Sequence, residues 1–155
     1  MEELNPYRSP EAVVPTTTAP APGARLYKVS GIGLATFFGS VLAGGWLMAR
    51  NYRALGEHDK ARRALGYSVV AAVVVVLLAL LLPDEVPNMA FIVPQLIALT
   101  QLARRYQGDR IAEYEAADQA YSNWRAFGIS LLAIPAFLLV AFAIVMPLTM
   151  AGVIA

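Results

Sequence analysis

The sequence predicts an all-α, polytopic membrane helix bundle: four transmembrane helices behind a disordered, proline-rich N-terminal tail. Three observations carry this. Of 155 residues, 58% are hydrophobic and only 15% are charged, whereas a soluble domain carries roughly a quarter charged residues. The apolar residues gather into four stretches, 29–48, 66–82, 86–103 and 127–148, close to the about 20 residues that cross a hydrocarbon layer of about 30 Å. The charges lie in blocks between these stretches, with a net charge of only +1, so no global basic field points to nucleic acid.

Residues 1–26 hold Pro6, Pro10, Pro15, Pro20 and Pro22 among Thr, Ala and acidic residues. Such a segment has too few donors and too little apolar periodicity to fold, and reads as a partly polyproline tail. It is not a secretory signal, because no apolar run follows a basic start; the apolar sequence begins only near Val29. Residues 27–155 then form one helical domain.

The first stretch, 29–48, has no charged residue and just meets the spanning length. Small residues recur within it at helical spacing: Ala35, Gly39 and Ala43 in one row, Ser40 and Gly44 in another. Such rows let two helix backbones approach closely, within the bundle or in a dimer. The second stretch, 66–82, is a run of Val, Ala and Leu ended by Pro83; valine is a poor helix former in water, but in lipid the backbone must satisfy its own hydrogen bonds. The third, 86–103, is interrupted by Pro94, Gln95 and Gln101, so it either crosses with a kink or re-enters. The fourth, 127–148, is the longest and contains Pro135, which releases a carbonyl one turn earlier and favours a bend.

Orientation follows from Lys and Arg. With four spans, nine of the twelve basic residues fall in connections 49–65 and 104–126, which are therefore expected to be cytoplasmic, with both termini on the opposite face. Arg25 and Lys28 conflict with that placement of the N-terminus. In the first connection, Gly56 and Gly66 read as helix C-caps, and the basic cluster reads as a topology determinant or an anionic-lipid or partner site. In the third, Tyr114, Ala117, Tyr121 and Trp124 at three- and four-residue spacing predict an amphipathic interfacial helix.

Catalytic and ligand-binding patterns are weak throughout. There is no cysteine, which excludes disulfides, thiolate nucleophiles and Cys-ligated metals. The one histidine, His58, lies between Glu57 and Asp59 and reads as a solvated residue rather than a ligand. Glu113, Glu115 and Asp118 come with no nucleophile or oxyanion donors. GIGLAT at 31–36 lacks the third glycine and preceding strand of a dinucleotide fingerprint. No ionisable residue falls inside the strictly apolar runs, whereas proton relays and charged-substrate transporters usually need one. Gln95, Thr100 and Gln101 are the clustered polar residues at depth, placed either to bond a neighbouring helix or to line a weakly polar path.

The run ATFFGSVLAGGWLMARNYRALG at 35–56, and more loosely YSNWRAFGISLLA at 121–133, resembles a signature of small uncharacterised bacterial four-helix inner-membrane proteins, which often open with an Asn-Pro-Tyr tail as Asn5, Pro6 and Tyr7 do here. The resemblance implies a multi-pass protein of the bacterial inner membrane and brings no activity. The expected function is a non-enzymatic accessory or assembly protein; the alternative is a small transporter or channel using the Gln95 and Gln101 region. No catalytic residue, cofactor or metal is expected. The expected partners are the lipid bilayer and either another membrane protein or a second copy of the chain, with no nucleic acid.

Overall fold

The computed structural model describes residues 23–83 and 85–153; the expectation of a disordered tail falls mostly on residues 1–22, outside that range. The described chain is all-helical apart from two short strands. In order these are β1 (Leu26–Tyr27), α1 (Val29–Ala54), α2 (His58–Leu81), α3 (Met89–Ala116), β2 (Ala120–Tyr121) and α4 (Asn123–Met150). β1 and β2 pair in parallel, Leu26 opposite Ala120 and Tyr27 opposite Tyr121.

Helix ends follow local chemistry. After α1, Glu57 N–H donates to Tyr52 O (2.8 Å) and Gly56 N–H to Arg53 O (3.0 Å), with Gly56 at φ 78°. This is a Schellman closure, in which a left-handed residue returns two N–H groups to orphan carbonyls. α3 closes in the same way through Gln119, Asp118 and Tyr114, here with Asp118 in the left-handed position (φ 55°). Gly56 is thus the cap the sequence predicts, whereas Gly66 lies inside α2.

Helix α1 is not one straight rod. Ser40 has φ 71° and ψ −179°, a conformation that cannot continue a helix, and the chain turns back there. A straight helix would hold residues 24 apart about 36 Å from each other. Instead Tyr27 N–H donates to Asn51 Oδ1 (2.7 Å) and Asn51 Nδ2 donates to Tyr27 O (2.9 Å). Halfway along, a Cβ built on Gly44 lies 3.2 Å from Thr36 Cβ. Pairing of 27 with 51 and of 36 with 44 defines an antiparallel helical hairpin with its apex at Ser40 and arms 29–39 and 41–54. The continuous first span expected for 29–48 is therefore two half-helices. Hydropathy could not reveal this, since the run is apolar on both sides of Ser40 from Val29 to Met48.

The hairpin is the hub of the molecule. α2, α3 and α4 each pack chiefly on α1 rather than on one another. Buried positions stop at Val76 in α2 and Ser130 in α4, and begin at Leu99 in α3, near the level where the hairpin turns. Beyond the apex the three helices carry exposed apolar side chains such as Leu81, Val93, Leu132 and Leu139.

By length and composition, α1, α2 and α4 are apolar enough to cross a membrane. α3 runs through Pro94 without a break to Ala116, so the interfacial helix expected around 114–124 does not form. Tyr114 is buried in the last turns of α3, Tyr121 is in β2, and Trp124 lies in the first turn of α4 at 80% exposure. α4 likewise continues through Pro135 and Pro147.

The doubled-back hairpin changes one expectation about the ends. Leu26 N–H donates to Gln119 O (3.1 Å) and Tyr27 is held by Asn51, so the described N-terminal residues sit at the same end of the bundle as both charged connections. Four straight crossings would put the N-terminus at the opposite end from them.

Candidate functional site

Two polar clusters organise the hairpin, one at its base and one at its apex. At the base, Leu26 uses its N–H on Gln119 O, leaving Tyr27 to present its N–H and C=O to Asn51. Asn51 Nδ2 also donates to Gln107 Oε1 (3.1 Å), and Gln107 Nε2 donates to Met48 O (3.0 Å). Asn51 is 0% and Gln107 1% exposed, so these amides replace water for backbone groups that would otherwise be orphaned. One amide closes the hairpin onto the chain that enters it; the other fastens the hairpin to α3.

The base carries further unusual groups. The rings of Tyr27 and Tyr121 lie 4.6 Å apart, and the Arg125 guanidinium sits 4.3 Å over the Tyr121 ring, within cation–π range. Among the described residues, the Tyr27 hydroxyl and Gln119 Oε1 are buried without a hydrogen-bond partner. At the start of α2 the exposed Lys60–Glu57 pair (2.8 Å) holds the Lys60 ammonium above the usual lysine range, though such exposed pairs contribute little stability.

At the apex, Ser40 is the N-cap of the second arm: its hydroxyl accepts from Leu42 N–H (3.3 Å). Val41 N–H donates to Gln95 Oε1 (3.1 Å), and Gln95 Nε2 donates to Phe91 O (2.8 Å) on its own helix. A break in mid-helix leaves several N–H groups without helical partners, and Gln95 from α3 satisfies one of them. Thr100 is not joined to Gln95: its hydroxyl bonds Leu96 O (2.7 Å) and its methyl lies against Gly33. Gln101 is exposed. Of the three residues expected at one polar site, Gln95 bonds the α1 backbone, Thr100 bonds its own helix and Gln101 is exposed.

The small residues of α1 face different neighbours. A Cβ on Gly39 would lie 2.7 Å from Ser130 O of α4; one on Gly44 would meet Thr36 across the hairpin; one on Gly45 would meet Ser68 of α2. Ala35 and Ala43 are fully buried and Ser40 forms the turn. These glycines let the arms approach each other and two of the surrounding helices, α2 and α4, as close helix packing requires.

Asn51 and Gln107 are structural residues that no sequence motif singles out. Gln107 lies on the stripe Ala103, Gln107, Ile111 and Tyr114, all buried, whose helical spacing was legible had a glutamine been admitted to an otherwise apolar face.

No family model matches the chain, and no curated protein or solved structure is significantly similar to it.

Proposed function

We propose that this chain is a non-enzymatic accessory or assembly protein of the bacterial inner membrane, crossing it three times through α2, α3 and α4, with α1 as a re-entrant hairpin. The observation that carries the orientation is the position of the charges. Every described Lys and Arg lies at the hairpin base: Arg25 and Lys28 before it, Arg50, Arg53 and the Lys60 to Arg63 group after it, Arg104 to Arg110 around Gln107, and Arg125 beside Tyr121. No Lys or Arg occurs between residues 64 and 103 or beyond 125. By the positive-inside rule the base faces the cytoplasm, together with the N-terminus and connections 49–65 and 104–126; the turn around Pro87 and the C-terminus face outward. Arg25 and Lys28, which conflict with four crossings, agree with three crossings and a hairpin.

The accessory reading draws support from the use made of the deep polar groups. Asn51, Gln107, Ser40 and Gln95 all bond backbone and thereby build a rigid scaffold. Irregular backbone at membrane depth is tolerated where protein surrounds it, and here three helices do so. The alternative, a small transporter or channel, rests on Gln95 at the break.

The lack of native cysteine allows a direct test of orientation. Single Gly23→Cys, Gly56→Cys and Asn88→Cys variants are exposed to an impermeant maleimide on intact cells. Three crossings with a hairpin protect Cys at 23 and 56 and label it at 88; four crossings label it at 23 as well. For function, mild-detergent purification at native expression with mass measurement separates the readings: a stoichiometric partner lost on altering the basic connections supports the accessory role, and a pure homo-oligomer supports the transporter.

A further inference from the structure

Residues 24–28 lie across the base of the bundle as a strap that ends where the hairpin begins. We propose that this strap is a catch: it releases from the base as a unit while the helices stay packed, freeing the Asn51 amide and the edge of β2. The proposal goes beyond the accessory reading and is independent of the orientation in the membrane.

What holds the strap is clear. Leu26 N–H bonds Gln119 O, Tyr27 exchanges two bonds with Asn51, and the side chains of Leu26 and Tyr27 are buried. Three features at the same place oppose these contacts. The Tyr27 hydroxyl is enclosed with no hydrogen-bond partner among the described residues, and so is Oε1 of Gln119, the residue whose carbonyl receives Leu26 N–H. A hydroxyl buried in this way has lost its water without replacement, and lifting Tyr27 restores it. The third feature is the start of α1. Lys28 is its N-cap, with no side-chain hydrogen bond to the helix and no acidic residue in the first turn, so a cation faces the positive end of the helix dipole where an acceptor is preferred. Arg25 adds a second cation three residues earlier. The attachment is also narrow: β1 pairs with β2 over two residues, whereas α1 to α4 are 24 to 28 residues long. Opening the strap therefore breaks few contacts, and its free energy lies below that of unfolding the bundle. The effect reaches α3, because Asn51 Nδ2 donates both to Tyr27 O and to Gln107 Oε1. The amide that loses Tyr27 on release is one that fastens the hairpin to α3.

The test is hydrogen exchange of the Leu26 and Tyr27 amides in the full-length protein in mild detergent, under conditions where exchange follows the opening equilibrium. Tyr27→Phe removes the enclosed hydroxyl and should slow exchange of both amides about five- to 150-fold. Lys28→Asp supplies a capping acceptor and reverses the charge, and should slow both about fivefold. Asn51→Leu should speed both. Val76→Ala, at a buried position of α2 near the level of the apex, should lower the thermal midpoint and leave the two amides unaltered. Faster exchange in Val76→Ala, in step with its midpoint, would show that the strap opens only when the whole bundle unfolds, and would overturn the catch. Unchanged or faster exchange in Tyr27→Phe would overturn it as well, since the hydroxyl would then be satisfied where it lies. Exchange in detergent does not depend on orientation, so failure here and failure of the cysteine labelling are separate outcomes.

Discussion

Replacing Asn51 by Leu keeps the size of the side chain and removes the amide that closes the hairpin. The native amide makes three bonds: it accepts from Tyr27 N–H at 2.7 Å, donates to Tyr27 O at 2.9 Å and donates to Gln107 Oε1 at 3.1 Å. Each bond contributes about 1 kcal/mol net, but each buried group left without a partner costs about 1–3 kcal/mol. Asn51 and Tyr27 are buried at 0% and 2% exposure, so water does not readily replace the lost partner. The expected destabilisation is about 3–6 kcal/mol, below the simple sum because the strand can shift and Gln107 can rotate. On the scale of globular domains this lowers the thermal midpoint by about 10–20 °C. The assay is thermal unfolding of the full-length protein in mild detergent, followed by circular dichroism. A shift of less than about 2 °C would mean that Asn51 does not hold Tyr27, and the hairpin base would have to be redrawn. The double variant with Gln107→Leu should fall short of the sum of the two single losses by about 1 kcal/mol, since the two amides share one bond.

Four further variants test the apex and the packing. Thr36→Cys with Gly44→Cys should oxidise to an intramolecular disulfide detected by mass, because the Cβ positions lie 3.2 Å apart; in a straight helix the same residues would be about 12 Å apart, beyond bridging. Ser40→Ala should destabilise by about 1 kcal/mol through loss of the cap to Leu42. Ser40→Gly should cost less, because glycine relieves a positive-φ conformation that costs a serine about 1–3 kcal/mol. Comparing the two thermal midpoints decides whether cap or strain dominates. Gly45→Ala should be among the more damaging single changes, since its Cβ would stand 2.5 Å from Ser68 Cβ on α2 and overpacking costs about 1–3 kcal/mol.

The helices were legible in the sequence because hydropathy and caps are local properties. The apolar stretches map onto four helices, and Gly56 ends α1 where a left-handed residue was expected. The return at Ser40 was not legible, since no proline or charge marks it and serine is ordinary in such a helix. Its trace was electrostatic: Lys28 before the first stretch and Arg50 after it leave basic residues on both flanks, the pattern left by a segment that enters and leaves on one side. The base cluster needed residues 24 and 56 apart in sequence, which only the fold brings together. α3 was cut short because Arg104 and Arg105 ended the apolar run, although Gln107, Ile111 and Tyr114 kept one face turned to the hub.

The apex determines how a substitution at Gln95 must be read. The arms of α1 run antiparallel, so the negative end of the first and the positive end of the second meet at Ser40 and largely offset each other. Transporter sites built on broken helices use half-helix ends whose fields point at the ion or substrate; a hairpin supplies no such net field. The Gln95 amide is already occupied on both sides, by Val41 N–H and Phe91 O. Gln95→Leu therefore orphans Val41 N–H and should cost about 1–3 kcal/mol, lowering the thermal midpoint whatever the protein does. Loss of activity in that variant separates the two functional readings only with its stability measured beside it. A lowered midpoint that accompanies the loss marks Gln95 as the cap of the hairpin. An unchanged midpoint would show that the cap bond is dispensable and the amide is free to meet a solute, which is the outcome the transporter reading requires.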